Sequence, residues 1–257
     1  VPDIFVYDGG FEGLLTTLFR LLQGREEPED IRAEGKALQE SLLAETVMVR
    51  TDAELAERLS RDICERISSR ALRNVLNAFL SGREGAEYNI YRYLRLGWEL
   101  GADVDARLGD EHVHAVHGMS RCTAREAHRM RGFLRFRQLE DGMYYAPMRS
   151  QCDVLSLVAG YFTARMGDQD WVIHDLVREQ AAFCLAGELA FCDLPGFDPR
   201  FSGEEELCQE LWRMYYKTIA VSERRNSRLQ KSCMPMKYWS ILVEEPARPG
   251  GRASEWA

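Results

Sequence analysis

Arg121, Arg125, Arg129, Arg131, Arg135 and Arg137 stand against a single acid, Glu126, between Gly118 and Gln138. A guanidinium is a planar fork of donors that matches phosphate oxygens, so the chemistry suggested is anion binding before bond breaking. A second run carries Arg213, Lys217, Arg224, Arg225, Arg228, Lys231 and Lys237 against one acid, Glu223. The whole chain has a formal net charge of −8. These are therefore basic islands on an acidic body, an asymmetry more informative than the total. Two readings stay open: the islands face phosphates, or they pair with the chain's own carboxylates.

Within and around the islands, Arg121, Arg125, Arg129, Arg135, Arg137, Arg178, Arg228 and Lys231 are the candidate phosphate contacts. Tyr238 and Trp239, interleaved with basic residues, are the candidate stacking platforms. Candidate acid–base groups are Asp8, Glu126, His128, His174 and Asp175. Asp8 follows an apolar run and precedes a helical one, where a carboxylate either caps the helix or projects into a site. His174 and Asp175 close a strand with Arg178 three residues on, which reads as a polar site or as a simple ion pair at a turn. His112, His114 and His117 invite a metal reading, yet the first two point apart on a helix and no cysteine or carboxylate pair accompanies them, so no metal site is expected. The seven cysteines are scattered without a C-x-x-C spacing, which argues against a disulfide framework, a zinc site or an iron–sulfur cluster, and no cofactor is expected.

The elements that must position these groups follow from periodicity. Ile4 to Tyr7 is a short buried strand, broken by Asp8-Gly9-Gly10 before Phe11, Leu14, Leu15, Leu18 and Leu22 repeat at helical spacing. Arg25 to Lys36 reads as a polar loop and Glu45 to Arg50 as a strand. Thr51-Asp52 offers a cap for a helix to Ile67, Ser68-Ser69 restarts one that Gly82 ends, and a third follows toward Gly101. Arg92 and Arg95 on that third helix extend the basic surface in this reading. A central helix runs from about Glu111 to Met130, with Val113, Val116, Ser120, Ala124, Ala127 and Met130 on one stripe and His114, His117, Arg121, Arg125 and His128 on another. Gly132 is expected to stop it. FLRFRQLEDGMYYAPM is then a hairpin turning at Asp141-Gly142, with Leu134 and Phe136 inward and Phe133, Arg135 and Arg137 outward. A helix over 154–166, a strand at 171–175 and a hairpin around Ala186-Gly187 follow. A last helix over 204–224 buries Leu207, Leu211, Met214, Tyr215 and Ile219. The sum is an α+β fold, an antiparallel sheet with a helical layer packed on it. One domain is expected over 1–245, with a flexible tail at 246–257.

IFVYDGGFEGLL, REAHRMRGFLRFRQLEDGMYYAPM, WVIHDLVRE and WRMYYKTIAVSERRNSRLQKSCMPMKYW, in that order, resemble a bacterial family of unknown biochemical activity described as probable DNA metabolism proteins. The resemblance spans roughly Ile4 to Glu244. It implies linkage to a radical SAM protein of DNA modification or repair and, in some relatives, fusion ahead of a uracil-DNA-glycosylase-like domain. The chain departs from the family pattern at Met236, where a basic residue is usual, and at Ser227, where a proline is usual.

Three functions stay open. The first is a DNA-binding accessory that presents substrate to a radical SAM partner. The second is a nucleic-acid enzyme of base excision or hydrolysis that uses the acid–base groups above. The third is a scaffold whose arginines meet an acidic protein. No apolar run reaches bilayer-spanning length, and a cytoplasmic location without membrane contact is expected.

Overall fold

Ile4, Phe5, Val6 and Tyr7 form the first strand, and the computed structural model places it in the middle of a parallel sheet. The structure describes residues 3–24, 27–35, 45–219 and 226–244. It divides into two compact units, Val1–Arg125 and Glu126–Ala257.

In the first unit, β1 (Ile4–Tyr7) leads through α1 (Phe11–Gln23) to β2 (Asp30–Ala33) and then β3 (Thr46–Met48). The strand order is β2-β1-β3, with both pairs parallel. A strand at Asp30–Ala33 corrects the expected loop. Of its four residues only Ile31 is buried, so its sequence carries little apolar signal, and it is ordered by backbone pairing beside β1 after the crossover through α1. Asp52 caps α2 (Ala53–Arg66) by accepting from the Glu54 and Leu55 amides, and Ser68 caps α3 (Ser69–Leu80) by accepting from the Ala71 amide. With α4 (Ala86–Leu100) and the start of α5 (Glu111–Phe133), these helices bury Leu18, Ile63, Val75, Ile90, Val113 and Val116 in one core.

Gly13 lies in the first turn of α1, where an added Cβ would overlap the Asp8 carboxylate and come within 2.9 Å of Thr51 Oγ1. Thr51 Oγ1 donates to Asp8 Oδ2 at 2.5 Å, tying the segment after β3 to the segment after β1. Gly13→Ala is expected to break that tie and to cost about 1–3 kcal/mol, as overpacking does elsewhere. Chemical denaturation reads it as an earlier first-unit transition. An unchanged midpoint would mean that Asp8 swings into solvent at no cost.

The second unit holds a five-stranded sheet in the order β4-β5-β6-β7-β8: Arg137–Gln138, Tyr144–Met148, Trp171–Asp175, Gln180–Leu185 and Glu188–Asp193. The sheet is mixed, which corrects the antiparallel expectation. β5 pairs parallel with β6, whereas the other three pairs are antiparallel. Between β5 and β6 lies α6 (Leu155–Met166), a crossover that returns the chain to the same end of the sheet. The turn between β7 and β8 is the expected one, Ala186 and Gly187 both having positive φ, 51° and 84°.

Two further expectations give way here. α5 continues past Gly132 to Phe133 and only Arg137–Gln138 pairs as β4, so the basic and aromatic strand face of Phe133, Arg135 and Arg137 does not form. Leu134 is buried as expected. Phe136 packs on Phe162 and Trp171. On α7 (Glu205–Ile219) the residues Leu207, Leu211, Met214, Tyr215 and Ile219 are each more than half exposed, between 51% and 59%. This helix is held by polar contacts instead. Glu205 is buried and accepts from the Gln138 amide at 3.0 Å, and Arg213 Nε donates to the Val243 carbonyl at 3.0 Å. α8 (Ser227–Cys233) buries nothing, while the 3-10 turn Met236–Ile241 after it buries Tyr238 and Ile241. Arg224, Arg225 and the tail at 246–257 lie outside the described residues, as does the end of the expected last helix.

Candidate functional site

Glu126, the lone acid of the first basic run, is buried in the second unit and gathers partners from several elements. Its Oε2 accepts from the Tyr238 hydroxyl at 2.6 Å, and its Oε1 accepts from Ser150 Oγ at 3.3 Å and the Gln151 amide at 3.2 Å. Arg129, one turn on, approaches to 3.9 Å and Lys237 to 3.8 Å, each with about a third of its side chain exposed. Lys237 also donates to Gln151 Oε1 at 2.8 Å and lies over the Tyr238 ring. Burial first, then the bond to Glu126, pushes the Tyr238 phenol well above its ordinary value, so it stays a neutral donor.

The same two loop residues are gripped from a second side. Asp175, at the end of β6 and fully buried, accepts from the Val177 amide at 2.9 Å and from Arg178 Nη1 at 3.0 Å. Arg178 also donates to the Ser150 carbonyl at 3.2 Å and the Gln151 carbonyl at 3.1 Å. Of the residues singled out in the sequence, Glu126 and Arg178 thus hold Ser150-Gln151 directly, Arg129 and Tyr238 meet Glu126, and Asp175 meets Arg178. Both carboxylates have their oxygens occupied by donors. Their arrangement anchors a loop and two partly exposed cations.

The remaining candidates have surroundings of their own. Asp8 is exposed at the end of the central strand of the first sheet. It accepts from the Gly10 amide at 2.9 Å, while the cap position itself is Gly10. Arg121, Arg125 and His128 are exposed on α5, and Arg228 and Lys231 on α8. His117 leaves the expected basic stripe: it is buried, with Nε2 2.8 Å from Asp105, which also accepts from Tyr93 at 2.8 Å. His112 meets Asn89 at 3.0 Å. Arg135 binds Glu244 through Nε at 2.8 Å and Nη2 at 2.5 Å. Burial works against the Glu244 carboxylate, but Arg135, a backbone hydrogen bond and Trp212 together offset it and hold the carboxyl below its ordinary value. Arg137 covers the Phe201 ring at 4.1 Å, and burial lowers its guanidinium from the ordinary value. Arg92 and Arg95 both reach Glu27, so they do not extend a free basic surface. Trp239 donates to the Met234 carbonyl at 3.0 Å, and the buried Tyr238 ring is not offered for stacking.

His174 is buried, its Nδ1 3.0 Å from the Tyr145 hydroxyl and its ring against Phe197. Burial lowers its pKa from the ordinary 6.5, against smaller opposing effects of the Leu194 backbone, Asp175 and Glu179. The unfolded chain therefore binds the proton first, so the contribution of neutral His174 is complete above about pH 6.5 and is lost as pH falls toward the depressed folded value. Second-unit stability, followed by denaturant midpoint, is expected to fall over that range. His174→Gln should flatten the dependence, and an equally steep profile in that variant would assign the acid sensitivity to another group.

A family model described as a domain of unknown function, DUF4130, matches residues 84–244. That span is more than half of the chain. The chain belongs to the DUF4130 family. The DUF4130 span contains Glu126, Arg129, Ser150, Asp175, Arg178 and Tyr238, and Asp8 lies before it. No curated protein and no solved structure matches the chain. Among the described residues, no helix is long and apolar enough to cross a membrane.

Sequence reasoning missed Ser150, Gln151 and the role of Lys237 in this cluster. The signal available was the polar SQCD segment between a strand and an apolar helical run, since such a segment must satisfy its backbone groups with side chains from elsewhere.

Proposed function

We propose that this DUF4130 protein is a nucleic-acid-binding accessory of DNA metabolism or repair that holds the phosphate backbone with exposed cations. One observation carries the reading. Arg121, Arg125, Arg228 and Lys231 are exposed and have no acidic partner among the described residues, although the chain carries a net charge of −8. Arginines that serve the fold are visibly different: Arg135 and Arg178 meet carboxylates, and Arg131 meets the Leu157 carbonyl. Cations left free on so acidic a chain fit a polyanionic partner. The resemblance to DNA metabolism proteins supports assigning the bond-breaking step to a radical SAM partner. The occupied oxygens of Glu126 and Asp175 favour that division of labour over an enzyme acting alone.

The test is a salt titration of the purified chain against single-stranded and duplex DNA. Affinity that falls steeply with salt supports the reading; no binding at low salt would overturn it for the isolated chain and direct attention to an acidic protein partner.

A further inference from the structure

We propose that a cavity between the start of α6 and the edge pair β7–β8 is a nucleobase pocket, and that the base it takes is guanine. Asp153, Ser156, Gln180, Phe191 and Asp193 are among its lining residues, and its volume is about 380 Å³. That volume falls in the range of small-ligand sites. The sheet register explains the lining: Gln180 pairs with Asp193 and Ala182 with Phe191, so Gln180, Phe191 and Asp193 share one face. α6 packs on that side against β6, β7 and β8.

Three properties of the lining select the ligand. None of the lining residues is basic, so a phosphate is not held here. Asp153 and Asp193 place two carboxylates at the wall; Asp193 accepts from Gln180 Nε2 at 3.4 Å, which leaves Asp153 as the acceptor that a donating ligand would meet. Phe191 is 52% exposed and offers a ring on which a flat ligand stacks. Burial raises the Asp153 carboxyl above its ordinary value; Arg178 opposes this and Asp175 adds to it. A carboxylate in that position gains from two parallel N–H donors. Among the bases, guanine presents two adjacent donors on its Watson–Crick edge, whereas thymine sets one donor between two carbonyls that the carboxylates repel. The choice of a base from all donor-bearing ligands rests on the nucleic-acid reading above.

The experiment titrates the intact chain with guanosine, adenosine, cytidine and thymidine, which carry no phosphate, by isothermal calorimetry or ligand-observed NMR. Guanosine is expected to bind at least about tenfold better than thymidine. Asp153→Asn and Phe191→Ala should each weaken guanosine by about tenfold or more. Phe191 is exposed, so its variant keeps the test valid if loss of the Asp153 carboxylate disturbs the loop. No nucleoside binding, equal binding of all four, or binding unaffected by both variants would overturn the pocket. The two proposals fail separately. Salt-dependent DNA binding without guanosine binding removes the pocket alone, and guanosine binding without DNA affinity removes the backbone interface alone.

Discussion

Reversing Arg121, Arg125, Arg228 and Lys231 together to glutamate is expected to remove most of the salt dependence of DNA binding. Each phosphate contact contributes about 0.9 to the slope of log affinity against log salt on duplex DNA and about 0.7 on single strands. Four lost contacts reduce a duplex slope by roughly 3.6, which corresponds to about a hundredfold of affinity between 50 and 200 mM salt. The control is a parallel reversal at Arg73, Arg107, Arg165 and Arg200, which are also exposed but lie outside the two basic runs. If the named four hold the phosphates, this control stays near the parent slope. Equal losses in the two variants would reduce the interface to a general effect of net charge, and no loss in the first would assign the phosphate contacts elsewhere. All four residues of the first variant are exposed, so the loss should come without a change in denaturation midpoint.

The second large effect belongs to Glu126. Removing its carboxylate leaves the Tyr238 hydroxyl buried without its acceptor, frees the Gln151 amide and strips Arg129 and Lys237 of their shared counter-charge. Breaking a buried ionic node from one side costs about 3–5 kcal/mol, and the partial exposure of the two cations places this case at the low end. Glu126→Ala should therefore lower the second-unit transition by about 3 kcal/mol in denaturant. Glu126→Gln is the informative companion. It keeps an acceptor for Tyr238 and loses the charge, so an intermediate midpoint separates hydrogen bonding from charge pairing. A Glu126→Ala protein as stable as the parent would show that the cluster is dispensable to the fold.

Much of the fold was legible because local signals agreed with the tertiary answer. Asp52 and Ser68 cap the helices they precede, and Asp141-Gly142 and Ala186-Gly187 turn the hairpins assigned to them. The expectations that gave way depended on partners distant in sequence. β5 and β6 each read as a strand, but their parallel pairing is a property of the crossover between them. The apolar spacing of α7 predicts a buried face, and periodicity alone cannot say whether a surface exists to receive it. The candidate site behaved likewise. Sequence reasoning named Glu126, Asp175 and Arg178 from their types, and the hold of Glu126 and Arg178 on Ser150-Gln151 needed the backbone of a loop that has no motif. Arg135 looked like one more phosphate contact because its acid, Glu244, stands 109 positions away.

The partners of Glu126 and Arg135 bear on synthesis as well as on stability. Tyr238, Ile241 and Leu242 are buried, Tyr238 and Lys237 meet Glu126, and Glu244 meets Arg135. A nascent chain that has reached only residue 235 would carry every strand of the second sheet and still lack the groups that neutralise and cover its interior. Among the described residues, the core cluster of the first unit ends at Met119. Vectorial synthesis then orders the two events: the first unit can fold while the ribosome is still translating, and the second waits for its final segment to emerge. During that interval the unfinished second unit is the part of the chain most exposed to proteases and chaperones.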